Sequence, residues 1–142
     1  MIRPLTKREG LLLFLCEGDK PKDNLRKVQL TNSDPVVLGY FVQWLETFYL
    51  VPRKSMRLRL NLWRGSNEDR AKTFWSNSLG IPLDNFTKTW FKPRGTKNKH
   101  PNGICRVSFS SKVRMESVRD DIVTEFYPAL RASPFAAQFQ TS

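Results

Sequence analysis

The chain of 142 residues is 39% hydrophobic and 26% charged, which predicts one globular domain and excludes a disordered chain. Its net charge is +11, from 24 Lys and Arg against 13 Asp and Glu, and it contains one histidine and two cysteines. This balance favours a polyanionic partner, most often nucleic acid, and argues against zinc fingers and histidine-dependent nucleases. A basic ribosomal or membrane-surface protein stays open on charge alone.

The sequence indicates neither a membrane segment nor a disulfide framework. No apolar run is long enough to span a bilayer, and the run 11–16 is too short for the core of a secretory signal. Cys16 and Cys105 stand alone in apolar segments, which predicts small buried side chains in a reducing compartment. We therefore expect a cytoplasmic protein with no membrane partner.

The first predicted element is a short helix. Thr6 followed by Glu9 forms a capping-box pattern at its start. Residues 11–16 include no polar side chain, so we expect this helix to be covered on all sides. Glu17 and Asp19 stand at its C-terminal end, where the helix dipole disfavours carboxylates, which suggests a metal-binding or catalytic position. The alternative is a buried helix that ends in an Asx-type turn.

Apolar spacing predicts four strands and three further helices. The strands are predicted at 26–31, 56–64, 86–92 and 104–109, and the helices at 35–49, from 66–69 to 79, and from 110 or 111 to Pro128. We expect the last two strands to form a hairpin, and Trp44 to lie in the core or at its rim, in preference to serving as a stacking platform. The order α-β-α-β-α-β-β-α predicts an α+β fold, with one domain over residues 1–132 and a flexible tail over 133–142.

The predicted strands carry aliphatic residues on one face and polar or basic residues on the other. In 56–64 the odd-numbered positions hold Arg57, Arg59, Asn61 and Trp63. Two arginines, an amide and an indole on one face fit contact with a nucleic-acid groove, although edge strands also carry charges simply to prevent aggregation. We therefore expect the helices on one face of the sheet and a bare, basic opposite face.

The segment 86–113 contains no acidic residue. Its centre is a long basic loop with Arg94, Lys97 and Lys99, flanked by Lys92 and Arg106. Long loops are usually functional or disordered. We interpret this one as a clamp on the DNA backbone, in preference to a merely solvated loop.

Residues 10–18 resemble the signature helix of the LAGLIDADG homing-endonuclease family. The matching positions, from the first to the closing glycine, are Gly10, Leu13, Phe14, Cys16, Glu17 and Gly18. Leu12 stands where the family usually has a small residue. The resemblance implies a mainly antiparallel four-stranded sheet with helices on one face, and a homodimer in which the 10–17 helices of two chains pair.

The resemblance also implies hydrolysis of double-stranded DNA, with Mg²⁺ or Mn²⁺, at a long, roughly palindromic site. Glu17 of each chain would then bind the metal, Asp19 would be a second ligand or lie just behind it, and Asn32 would order the attacking water. Lys88 or Arg106 would stabilise the phosphate. The expected DNA contacts are Lys27, Gln29, Arg57, Arg59, Asn61, Trp63, Lys88, Lys92, Arg94, Lys97, Lys99 and Arg106.

Two other functions stay open. The same scaffold could serve a DNA- or RNA-binding protein without cleavage activity, such as a transcription regulator or an intron maturase. The chain could also be an unrelated basic RNA-binding α+β protein. Cleavage of DNA in the presence of Mg²⁺ separates the endonuclease from both alternatives.

Overall fold

The computed structural model describes residues 3–18, 27–93 and 100–130. Its helices are α1 (Lys7–Glu17), α2 (Pro35–Tyr49), α3 (Glu68–Leu79) and α4 (Lys112–Leu130), and its strands are β1 (Lys27–Asn32), β2 (Arg57–Trp63), β3 (Trp90–Lys92) and β4 (Ile104–Ser110). Short 3-10 helices over Arg53–Ser55 and Leu83–Asn85 precede β2 and β3. The predicted α+β class and order of elements are confirmed.

The helix boundaries follow from local capping contacts. The backbone N–H of Glu9 donates to Thr6 Oγ1 at 3.1 Å, and that of Thr6 donates to Glu9 Oε1 at 2.9 Å, which completes the predicted capping box of α1. Asp34 caps α2 by accepting from the backbone N–H of Val36 at 2.8 Å. α3 ends at Gly80, whose φ of +65° favours a residue without a Cβ.

The four strands form one mixed sheet in the order β1-β4-β2-β3. β4 is antiparallel to both β1 and β2, whereas β3 is parallel to β2. The predicted hairpin between β3 and β4 is therefore wrong. α3 supplies the crossover that a parallel pair requires. β3 therefore lies at the edge beyond β2, and β4 and β2 are the two central strands.

One continuous core lies between the sheet and the helices. The inward residues of the long strands are almost fully buried: Val28, Leu30, Leu58, Leu60, Leu62, Cys105, Val107 and Phe109. They share this core with residues of all four helices, among them Leu11, Phe41, Trp75 and Ile122. All four helices therefore pack on one face of the sheet, and the prediction of Trp44 as a core residue is confirmed.

The burial of α1 differs from the prediction. Gly10, Leu11 and Phe14 face the core, whereas Leu12 is 49% exposed and Cys16 is also exposed. The helix contacts α2, α4 and β1 on one side, and an apolar sequence alone does not supply neighbours on the other. The predictions of a helix covered on all sides and of a buried Cys16 are therefore wrong for this chain.

Two other helices need smaller corrections. α4 continues to Leu130, past Pro128, where the sequence predicts its end. The helical spacing of Phe48 with Phe41 and Leu45 predicts that it is buried, but it is 37% exposed, and Tyr49 takes the inward position at the end of α2 instead. The tail 133–142 lies outside the described residues. None of the described helices is both long and apolar enough to cross a membrane.

Candidate nucleic-acid interface

We name the face of the sheet that points away from the helices the open face. Strand register places on it Lys27, Gln29 and Thr31 of β1, Arg57, Arg59, Asn61 and Trp63 of β2, Trp90 and Lys92 of β3, and Ile104, Arg106, Ser108 and Ser110 of β4. These side chains are exposed or half-buried. The nucleic-acid contacts expected on β1, β2, β3 and β4 therefore come together on one surface.

The open face is basic because its strands contain no acidic residue. Its cationic side chains are Lys27, Arg57, Arg59, Lys92 and Arg106. A group of like charges on one surface creates a positive potential that attracts anions and raises their rate of association. The open face therefore has the electrostatic character of a surface that binds phosphate groups.

Acidic residues are found instead on the helices and in the segments that connect the elements. Ion pairs with N–O distances of 2.7–3.8 Å join Arg3 to Glu9, Lys7 to Asp121, Arg8 to Glu125, Arg53 to Glu46 and Lys72 to Glu68. Such solvent-exposed pairs add little to stability. They do neutralise charge around the helix layer, so most of the excess positive charge of the described residues lies on the open face.

Two arginines lie directly opposite each other at the centre of the open face. Arg59 of β2 is in register with Arg106 of β4. Arg106 is also in register with Thr31 of β1, and its Nε donates to Thr31 Oγ1 at 3.3 Å. The Arg59 guanidinium contacts the Trp90 ring on β3 instead. The two side chains therefore make contacts on opposite sides of the sheet centre and distribute positive charge across the open face.

Aromatic side chains extend the open face to the β3 edge. The guanidinium of Arg59 lies over the ring of Trp90, 4.8 Å from its centroid, and the ammonium of Lys92 lies 5.9 Å from the centroid of the Trp63 ring. Trp90 is 59% exposed. It is absent from the sequence-predicted contacts, although alternation within the predicted strand 86–92 places it on the same face as Lys88 and Lys92. The parallel register with β2 aligns Trp90 with Asn61.

Asn61 brings a buried polar atom to the same surface. Its Oδ1 has no hydrogen-bond donor in the part of the chain that the structure describes. A buried acceptor without a partner costs roughly 1–3 kcal/mol. The Oδ1 atom of Asn61 therefore does not stabilise the fold through a hydrogen bond with the described residues.

Glu17 lies near the β1 edge of the sheet, the edge opposite to β3. It is exposed at the end of α1, and the next residue, Gly18, forms an isolated antiparallel bridge with Leu30 of β1. Within 3–18, 27–93 and 100–130, no group of three His, Cys, Asp or Glu residues could hold a metal ion. Mg²⁺ takes one or two carboxylates and completes its octahedron with water and phosphate oxygens. One exposed Glu17 per chain fits an open site of that kind.

The other expected catalytic residues lie on other elements than Glu17: Asn32 ends β1, Lys88 precedes β3 and Arg106 belongs to β4. Asn32 is in register with Cys105, in line with the inward residues of β1, and its Oδ1 accepts from the backbone N–H of Asp34 at 2.9 Å in the turn before α2. Lys88 is exposed in the segment before β3. The positions outside the described residues are Asp19, Arg94, Lys97 and Lys99.

Gly10, the first residue of the segment that resembles the LAGLIDADG signature, contacts α2 of the same chain. A Cβ at Gly10 would lie 2.1 Å from the indole of Trp44, and Trp44 Nε1 donates to the backbone carbonyl of Lys7 at 3.0 Å. Phe14 stacks on Phe41 one turn further along, with ring centroids 6.3 Å apart. At Gly10, therefore, a close helix–helix contact forms within one chain, between α1 and α2.

The comparisons with known proteins found no relative of this chain. No protein-family model matches the chain, and neither a search of curated proteins nor a search of solved structures found a match.

Proposed function

We propose that this protein binds nucleic acid through the open face of its sheet. The observation that supports the proposal is the group of five cationic side chains, together with two indoles, on a face without an acidic residue. Cationic side chains that contact phosphates release counterions and give affinity for any sequence. Arg57, Arg59 and Asn61 lie on the same face and can hydrogen-bond base edges.

The dimensions of the open face suit both forms of nucleic acid. Four strands span about 14 Å, which is three spacings of about 4.8 Å. The major groove of B-DNA is about 12 Å wide, so the four-stranded face is wider than the groove and would meet a duplex at the phosphates that border it. A single strand can lie across it and place successive phosphates near cations on neighbouring strands.

The proposal is tested by fluorescence anisotropy with a labelled oligonucleotide over about 50–200 mM salt. The variant Arg57→Gln/Arg106→Gln removes two charges from the open face. The control Arg8→Gln/Arg70→Gln removes two exposed charges from α1 and α3 and so has the same net charge.

The open-face variant should bind more weakly, and its plot of log K against log salt should be less steep by about 0.7–0.9 for each lost phosphate contact. The control should bind like the wild type. Equal losses in both variants would mean that binding follows net charge and not the open face. A wild type without salt-dependent binding overturns the proposal.

A second candidate function is metal-dependent cleavage of double-stranded DNA by a homodimer. The observation that favours it is Glu17, which is exposed at the end of the signature-like helix and beside the β1 edge of the sheet. Glu17 of two chains would hold the Mg²⁺ or Mn²⁺, which when bound neutralises charge on a phosphate and activates water.

Cleavage of plasmid DNA with Mg²⁺ tests this candidate. Glu17→Gln should keep binding and lose cutting, whereas Glu116→Gln, a matched change on α4, should keep both. Sedimentation of the wild type at the assay concentration should give a dimer. Cutting by Glu17→Gln, or a purely monomeric enzyme that cuts, would remove Glu17 pairing from the reaction.

A further inference from the structure

Trp90 differs from the core tryptophans in its surroundings. Trp44 and Trp75 are buried, and their indole N–H groups donate to the backbone carbonyls of Lys7 and Asn102. Trp90 is 59% exposed. An indole that stays in water forgoes the burial through which tryptophan usually stabilises a fold. Its exposure therefore requires an explanation other than packing.

The Trp90 ring is partly covered and partly open to solvent. The Arg59 guanidinium lies over the ring, 4.8 Å from its centroid. More than half of the residue remains exposed, so the ring keeps accessible surface beyond this contact. The ring is thus a flat platform, held from one side by a cation and bordered by Lys92 on the same strand. β3 is also the edge strand of the sheet, so a ligand can approach the platform from the side.

We propose that the exposed face of Trp90 stacks an unpaired nucleobase, and that the ligand of the open face is single-stranded nucleic acid. This inference rests on the proposed nucleic-acid binding and specifies its ligand. Every base has a planar π-face, so stacking on an aromatic side chain tolerates any sequence. The cations around Trp90 bind the phosphates of the same strand. Within a duplex, neighbouring base pairs already cover both faces of each base, which leaves nothing to stack on Trp90 except at ends or distortions.

The test compares a labelled oligothymidylate of about twelve nucleotides with an abasic strand of the same length and charge. Trp90→Ala should weaken binding of oligothymidylate roughly 5- to 150-fold, the equivalent of one lost stacking contact. It should leave binding of the abasic strand unchanged, and also that of a relaxed closed-circular duplex, which has no ends. Trp90→Phe keeps a planar ring and should retain most of the affinity.

Two variants separate stacking from other effects. Trp90→Leu keeps apolar bulk without a planar ring and should lose affinity as Trp90→Ala does, even if the alanine variant proves difficult to fold. Phe91→Ala removes the neighbouring aromatic, which is 46% exposed on the other side of β3, and should leave oligothymidylate binding unchanged.

The outcomes distinguish the two proposals. Unchanged oligothymidylate affinity in Trp90→Leu, or an abasic strand bound by the wild type as tightly as oligothymidylate, overturns the stacking and leaves nucleic-acid binding in place. A wild type that binds neither strand nor the duplex overturns both.

Discussion

Gly10→Ala should destabilise the folded chain, because Gly10 lies where α1 and α2 approach most closely. A Cβ at this position lies 2.1 Å from two atoms of the Trp44 indole. The indole cannot move away freely, since its Nε1 donates to the Lys7 carbonyl at 3.0 Å and its ring contacts Tyr49 edge-on, with centroids 5.0 Å apart. Overpacking of a core costs about 1–3 kcal/mol. The helix propensity gained from alanine, about 1 kcal/mol, offsets part of this, which leaves a net loss of about 2 kcal/mol for so short a contact.

Gly39→Ala in α2 is the matched control. No heavy atom lies within 4 Å of a Cβ at Gly39, so the variant gains about 1 kcal/mol of helix propensity without a clash. The two substitutions are therefore expected to change stability in opposite directions. A difference of 1 kcal/mol corresponds to about 4 °C in Tm for a chain of this size, which urea unfolding and calorimetry both resolve.

The same pair of variants also locates the contact that α1 makes. If Gly10 lay between two chains, the loss in Gly10→Ala would depend on protein concentration, because dissociation would precede unfolding. We predict a loss that is the same at all protein concentrations. A Tm equal to that of the wild type, or a loss that vanishes at high concentration, would refute the placement of Gly10 against Trp44.

Two further predictions concern a carboxyl and the thiols. A hydrogen bond from Arg3 lowers the pKa of Glu9 to about 2, so its stabilising effect is present above the unfolded pKa, near 4.3, and is lost as the pH falls toward 2. Glu9→Ala should therefore have a lower free energy of unfolding than the wild type at pH 7, and this difference should shrink as the pH falls from about 4.3 toward 2. Urea unfolding curves that show the same difference at every pH would contradict this. Burial raises the pKa of Cys105, whereas Cys16 is exposed. A thiol reagent should modify Cys16 rapidly in the folded protein and Cys105 only on unfolding. Rapid modification of both thiols would contradict the burial of Cys105 in β4.

Features encoded by neighbouring residues could be predicted from the sequence. The capping box of Thr6 and Glu9 needs only a spacing of three residues, and it forms as expected. Alternation within β2 places Arg57 and Arg59 on one face, and this also holds in the structure. Local patterns of this kind carry the prediction of a basic face, because each strand orients its own side chains.

Features set by distant partners could not be predicted in this way. The parallel pairing of β3 with β2 depends on the α3 crossover, and without it Trp90 cannot be aligned with Asn61. The apolar sequence of α1 gives no information about which side lacks a neighbour, so the exposure of Leu12 and Cys16 appears only in the folded chain. Asn32 illustrates a third difficulty, because an amide suited to catalysis is equally suited to the turn contact with Asp34 that it makes.

Nuclear magnetic resonance of the indole N–H groups tests the central claim, that nucleic acid binds the open face, with controls inside the same molecule. Trp63 and Trp90 lie on the open face, whereas Trp44 and Trp75 lie in the core between the sheet and the helices. During titration of the ¹⁵N-labelled protein with oligothymidylate, we predict that the Trp63 and Trp90 signals shift and that the Trp44 and Trp75 signals stay in place. Stationary Trp63 and Trp90 signals at saturation would contradict binding at the open face.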